Sequence, residues 1–341
     1  MTVEEGMTAP ARPGGSDLAV AARGLVMRYG SRTALQGLDV SVPRGVVYGF
    51  LGPNGAGKTT LMRILVGLIR PDAGSVELLG RPYTWRDRRQ LFQVGSLIEQ
   101  PSFYPYLSGL ENLRVIAATG APTSRNRAEE VLEFVGLTDR SRDKLKTYSL
   151  GMKQRLGIAM ALLSDPQLLL LDEPANGLDP AGTVAMRELL RYLTAGGKTV
   201  LVSSHILPEV QQLADVVGII DRGRLVREAT LDTLLAEGAL LRVRVAQEEV
   251  DRTLELLATL SPQAETGPVG DHGTAWVSLH VPAEQAGEVN RTLAQAGIFA
   301  SGLESSNDLE MVFLAATQVA PDQAPPGPPT GWGQPTAPRS P

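Results

Sequence analysis

The stretch GPNGAGKTT, residues 52 to 60, leaves a chain few ways to fold. It matches the spacing G-x-x-x-x-G-K-[ST], directly after the apolar run VVYGFL and directly before KTTLMRILVGLI, whose apolar residues recur at helical spacing. Strand, tight turn and helix in that order turn successive backbone N–H groups into one concavity, and the helix N-terminus adds its partial positive charge. Such a concavity takes phosphate. Gly52, Pro53, Asn54, Gly55, Ala56 and Gly57 form the cradle, Lys58 is placed to reach β- and γ-phosphates, and Thr59, followed by Thr60, offers a hydroxyl to Mg2+. The plainer reading is a glycine-rich turn between strand and helix; a lysine and a threonine both in register speak against it.

The rest of the first two thirds supplies a sheet for that loop. LDVSV and SVELLG read as strands, and LLLLDEP, TVLVSSH and VVGIID are short apolar runs bounded by turn or polar residues, the pattern of buried parallel strands. Residues of about 100 to 165 interrupt with helical signals: Ser108 three before Glu111 is a capping box, and AEEVLEFVGL has apolar residues at helical spacing. Within residues 17 to 230, then, an α/β core carries an inserted helical subdomain. From 231 to 317 the pattern changes to LLRVRVA as strand, EEVDRTLELLATL as helix, TAWVSLHV as strand, AEQAGEVNRTLAQAG as helix, and a last apolar helix DLEMVFLAAT, which suggests a small α+β accessory domain of ferredoxin-like order. Residues 1 to 16 and 318 to 341 are too rich in Pro, Gly and small residues to pack, and are expected to be disordered, Trp332 included.

Composition narrows the chemistry. The formal net charge is −5 with no long Lys/Arg block, so no electrostatic footprint for nucleic acid is evident. There is no cysteine, and three scattered histidines make no clustered zinc site. No run of about 18 apolar residues spans a membrane, and the start has no apolar segment of a signal peptide. A cytoplasmic setting is expected.

At the end of LLLLDEP stand Asp172 and Glu173, at the carboxyl edge of a strand where ligands of open α/β sheets bind. Asp172 is suited to orient Mg2+, directly or through its water, and Glu173 to polarise an attacking water; a strand ending in Asp-Glu is also a common structural feature. Tyr29 in RYG offers a π-face to a base, or is an ordinary turn aromatic. His205, after the strand-like LVSS, emerges at the same sheet edge, where a ring N–H can meet a γ-phosphate. His272 and His280 have no partner residues and receive no role.

Together these residues resemble the nucleotide-binding subunit of an ATP-binding cassette (ABC) transporter, a P-loop NTPase, over Leu18 to Arg227. The resemblance implies that Tyr29 stacks on adenine, that YSLGMKQR is the family signature, that Asp179 in NGLDP lies in the loop after the catalytic acid, and that His205 is the switch histidine. The signature departs from the common Leu-Ser-Gly-Gly-Gln form at Leu150 and Met152, yet keeps Ser149 and Gly151, which would contact a γ-phosphate. That contact is implied to occur in trans, so that a homodimer sandwiches two ATP molecules. The combination SLIEQPSFYPYLSGLENL and YSLGMKQRLGIAMALL is most similar to the bacitracin- and lantibiotic-type export ATPases. An exporter role, with a separate integral membrane permease and a place on the cytoplasmic face of the membrane, follows from the resemblance. The aromatics Phe103, Tyr104 and Tyr106 are candidate contacts for that permease, or local packing. The alternative is a regulatory or sensory ABC ATPase that moves no substrate.

One register question is left by the pair Glu99-Gln100. The family carries a glutamine that serves Mg2+ in this loop, and aligning VGSLIE puts Glu99 there, with Gln100 leading into the Pro101 turn. A carboxylate oxygen is a suitable donor to a hard cation.

Overall fold

The computed structural model describes residues 17–317 apart from 86–87, 100–101, 120–123, 262–263, 270–272 and 308. Gln100, Pro101, His272, Trp332 and both terminal segments therefore lie outside the described residues. The chain opens with β1 (Leu18–Tyr29), β2 (Arg32–Pro43) and β3 (Val47–Leu51), then α1 (Lys58–Leu65), β4 (Ala73–Leu78), β5 (Arg81–Pro82) and β6 (Val94–Leu97). Three helices follow, α2 (Gly109–Thr119), α3 (Arg127–Phe134) and α4 (Leu150–Ala161). Then come β7 (Leu168–Asp172), α5 (Pro180–Ala195), β8 (Thr199–Ser204), α6 (Leu207–Leu213), β9 (Val216–Asp221), β10 (Arg224–Thr230) and α7 (Leu231–Glu237).

The central sheet has the order β10-β9-β3-β8-β7-β6, parallel except for the antiparallel edge strand β10. Its four inner strands, β9, β3, β8 and β7, are buried on both faces. Leu168 and Leu170 face one core with α1, Tyr48, Phe50 and Leu201, while Leu169 and Leu171 face another with Met186, Leu190 and Val200. Successive strand residues point to opposite faces, so a run of leucines fits only a doubly covered strand. Each of these fully buried leucines contributes about 2 kcal/mol.

The parallel reading thus holds for LLLLD, TVLVSS and VVGIID, and VVYGFL, read only as a strand, joins them as a parallel strand. LDVSV and SVELL, read only as strands, lie instead in a separate antiparallel sheet of order β2-β1-β4-β5. Its central strand, β1, escapes the sequence reading because its half-exposed end and register shifts blur the alternation. This sheet covers α1 and the loop before it: Leu25, Leu35, Leu38 and Val40 share a core with Leu61 and Met62.

The helical region sits at the opposite edge. Its entry is fixed by the capping box, in which the Ser108 N–H donates to Glu111 Oε2 (2.7 Å) and the Glu111 N–H donates to Ser108 Oγ (3.2 Å). Leu113, Val131, Leu132 and Leu156 pack into the same core as Leu169 and Leu171, which fixes this region to the sheet.

The C-terminal part consists of β11 (Ala239–Ala246), α8 (Val250–Leu257), β12 (Glu265–Val269), β13 (Thr274–Leu279), α9 (Ala286–Gln295), β14 (Gly302–Asn307) and α10 (Leu309–Thr317). The four strands form one antiparallel sheet, β12-β13-β11-β14, with α8 and α9 contributing Leu257, Val289 and Leu293 to its core. The order β-α-β-β-α-β is that of a ferredoxin-like unit. α7 and α10, which the sequence pattern groups with this unit, pack elsewhere: Leu234, Leu309 and Val312 join Leu51, Val210, Val217 and Ile219. One face of α10, with Leu309 and Val312, is therefore packed against α6, α7 and the central sheet, while Met311 and Leu314 stay exposed, and the small unit is inserted between two helices docked on the core.

Candidate functional site

The carboxyl ends of β3, β7 and β8 lie side by side in the central sheet, and each delivers its functional residues to the same edge. After β3 the loop reaches Gly57 with φ of 116°, a conformation open to glycine, and a Cβ there would stand 2.8 Å from the Ala34 carbonyl oxygen. Gly55 has φ of 81°. Lys58, only 5% exposed, donates from Nζ to the carbonyls of Gly52 (2.7 Å) and Pro53 (3.3 Å) and lies 3.5 Å from Glu173 Oε1. The lysine is held across the mouth of its own loop.

Thr59 Oγ1 donates to Asp172 Oδ2 at 2.7 Å, which ties the start of α1 to the end of β7. The other Asp172 oxygen accepts from Ser203 Oγ. Glu173 follows with φ of 50°, and its N–H is held by Ser203 O and Oγ, both at 3.1 Å. Its carboxylate faces Lys58 on one side and His205 on the other, with His205 Nδ1 2.6 Å from Glu173 Oε2. Glu209, one turn into the helix after His205, has its carboxyl pushed up by burial, against the opposing influence of His205 and with that of Glu173.

Lys58, Thr59, Thr60, Glu173, Asn54 and Tyr29 line one cavity of about 410 Å3, together with Arg32. Tyr29 is 45% exposed at its rim, free to offer a ring face. The pairing of a hydroxyl with one carboxylate suits an ion that keeps much of its water and takes its remaining ligands from phosphate. No group of three or more His, Asp or Glu arranged to hold a metal ion stands among the described residues. Thr59 and Asp172 therefore fit Mg2+ delivered with a nucleotide.

Glu99 lies differently. It follows β6 with φ of 65°, its carboxylate is engaged by Arg63, and it is not among the residues of the Lys58 cavity. That hydrogen bond raises the Arg63 pKa above its ordinary value. Arg63 stands four residues after Thr59 on α1, so both share a helix face, and Glu99 is held one turn from the Thr59–Asp172 pair.

Ser149, Gly151 and Asp179 are brought together, but away from Lys58. They line a separate cavity of about 490 Å3 where α4 and α5 begin. Ser149 caps α4 by accepting from the Met152 N–H (3.3 Å), and Asp179 caps α5 by accepting from the Gly182 N–H (2.9 Å). Gly151 leaves room toward Leu178, whose side chain would be 3.6 Å from an added Cβ.

Three participants were not found from sequence. Ser203 is legible only through register, because β7 and β8 pair Asp172 with Ser203. Arg63 reads as one more polar position on α1, and Arg32 as a turn residue, although its guanidinium donates to Gly55 O (3.0 Å).

Comparison with known proteins is consistent with this geometry. The family profile described as ABC transporter matches residues 35–176. The chain is 38% identical over 291 residues to the bacitracin transport ATP-binding protein BcrA of Enterococcus faecalis, covering 85% of this chain and 93% of that protein. It is 38% identical over 308 residues to the daunorubicin resistance ATP-binding protein DrrA3 of Streptomyces coeruleorubidus, covering 89% and 96%. Among solved structures, the ADP conformation of MJ1267, an ATP-binding cassette of an ABC transporter, is similar with a TM-score of 0.59 and 25% identity, covering 64% of this chain and 95% of that one. The dimeric post-hydrolysis state of the cassette MJ0796, bound to ADP and Pi, is similar with a TM-score of 0.56 and 26% identity, covering 62% and 98%. A strand-borne acid held between the loop lysine and a histidine, in a chain with these relatives, has one consistent meaning: the chain belongs to the ABC transporter ATP-binding proteins and is an ATP hydrolase.

Proposed function

We propose that this ATPase powers an exporter of antibiotics, peptides or drugs, acting as a homodimer on a separate integral membrane permease at the cytoplasmic face of the membrane. The reading is supported by similarity over nearly the full length to proteins named for bacitracin transport and daunorubicin resistance. No helix among the described residues is long and apolar enough to cross a membrane.

The observation that carries the mechanism is Glu173 between Lys58 and His205. When ATP occupies the cavity, Lys58 exchanges the carbonyls of Gly52 and Pro53 for β- and γ-phosphate oxygens, and Glu173 is left to polarise the attacking water as general base. His205 uses one ring N–H, on the Glu173 carboxylate in this structure and on the γ-phosphate once ATP is bound. Tyr29 stacks on the base, and Thr60 with the loop N–H groups from Gly52 to Gly57 holds the phosphates. Mg2+, when bound, would neutralise phosphate charge, with Thr59 and Asp172 to hold it; Glu99, held by Arg63 outside the cavity, would join them only on leaving that arginine. Arg63 offsets the charge of Glu99, which explains how an acid stands where an amide is usual. Ser149, Gly151 and Asp179 close over the nucleotide of the opposite subunit.

Co-expression with the membrane protein encoded nearest to its gene tests the reading. Resistance of a sensitive host to peptide antibiotics should rise with the wild-type pair and vanish with Lys58→Ala. Resistance that persists with the Lys58→Ala pair would overturn export coupled to ATP.

A further inference from the structure

The two edges of the C-terminal sheet are built differently. β12 has a proline at 268, which offers no N–H, and its pairing with β13 shifts register between Thr266 and Val269. Proline and bulges are the devices by which a sheet edge is closed to further strands. β14 has neither. Its six residues, Gly302–Asn307, pair in continuous register with β11 on one side, and Leu303 to Ser306 are all exposed. Lysine and proline are absent from it, and its one charge is Glu304. Three residues before it stands Phe299, 77% exposed, and Leu303 within it is 37% exposed. An unprotected edge bordered by apolar side chains takes another strand.

We infer that β14 pairs with β14 of a second copy of this chain, antiparallel about a twofold axis, joining two four-stranded sheets into one of eight, and that this contact holds the dimer together without nucleotide. The strand is compatible with itself. Pairing centred on Ser305 sets Glu304 opposite the partner's Ser306, so like charges do not face each other. A twofold contact uses one patch twice, as an isologous interface requires. The unit is inserted between α7 and α10, both packed on the core beside α6, which follows directly from His205. A permanent tether there keeps two cassettes at high effective concentration, so that ATP has only to close them. The inference rests on the two-copy reading of the ATPase, but it makes a separate prediction: association in the absence of ATP.

The chain contains no cysteine, so a single introduced thiol reports on one contact. Full-length Ser305→Cys, freed of nucleotide and treated with a mild oxidant, should cross-link to itself, since Cβ atoms facing across an antiparallel pair are about 5 Å apart. Glu265→Cys, on the closed edge, should not. Light scattering should find the wild type dimeric without nucleotide, and Ser305→Lys should weaken that dimer at least about tenfold, through facing like charges, while leaving ATP affinity and the circular dichroism spectrum unchanged. A wild type that is monomeric without ATP, or Ser305→Cys that cross-links no faster than Glu265→Cys or only when ATP is present, would overturn the inference. ATP-dependent closure through Ser149 is a different reading and would survive that result.

Discussion

Two regions of the ATPase show opposite designs. Around Lys58 the side chains at the sheet edge are already committed to partners: lysine to loop carbonyls and Glu173, Thr59 and Ser203 to Asp172, His205 to Glu173. Around Ser149 and Asp179 each side chain does no more than cap its own helix and otherwise faces the open. The first is a preorganised site, in which charges are placed before the substrate arrives. The second is two helix N-termini whose N–H groups and positive ends face an open cavity. In the proposed dimer another subunit brings the phosphate to them.

The largest expected effect breaks the first region alone. Glu173→Gln removes the base but keeps size and hydrogen-bonding capacity, so turnover should fall by at least about 100-fold while ATP stays bound through desalting. Turnover within about threefold of the wild type would show that Glu173 is not the base. Lys58→Ala removes two phosphate contacts of a cation and should weaken ATP binding by about 100-fold in calorimetry. Tyr29→Ala should weaken it by about tenfold, the loss of one base stacking on one ring, with little change in the maximal rate at saturating ATP.

Effects in the second region should separate stability from turnover. Ser149→Ala removes an exposed cap worth about 1 kcal/mol, visible as a small fall in unfolding free energy, yet should cost far more in turnover than that figure implies. Ser108→Ala, at a cap of the same kind outside either site, should cost about as much stability and leave turnover unchanged. The smallest effect is the pH dependence of that box. Hydrogen bonds from Ser108 lower the Glu111 pKa from its ordinary 4.5. A folded-state value below the unfolded one gives stability that is present above pH 4.5 and lost as pH falls below it. The melting difference between wild type and Glu111→Gln should therefore shrink toward zero in acid.

How far the sequence discloses this depends on whether a residue acts through its local pattern. Lys58, Thr59, Asp172 and Glu173 follow apolar strands at fixed spacing, and the capping box is a local contact, so all were legible. Ser203 and Arg63 matter through neighbours 31 and 36 residues away, and only strand register and helix face reveal them. The antiparallel placement of β2 and β4 is only partly legible: LDVSV alternates, as a strand covered on one face does, but the strand between them, β1, is blurred by register shifts. α10 was grouped with its sequence neighbours because an apolar helix does not say which core it joins; here that core is completed by α6 and α7.

The central claim, that catalysis needs the Lys58 region of one subunit and the Ser149 region of another, is tested most directly by complementation. Lys58→Ala and Ser149→Arg chains with different affinity tags are co-expressed, the mixed dimer is isolated through both tags, and ATP turnover is measured beside each variant alone. Each variant alone should be inactive, and the mixed dimer, which contains one intact composite site, should regain about half the wild-type rate per dimer. A mixed dimer as inactive as its parents, or a Ser149→Arg chain that turns over ATP at the wild-type rate alone, would contradict the account.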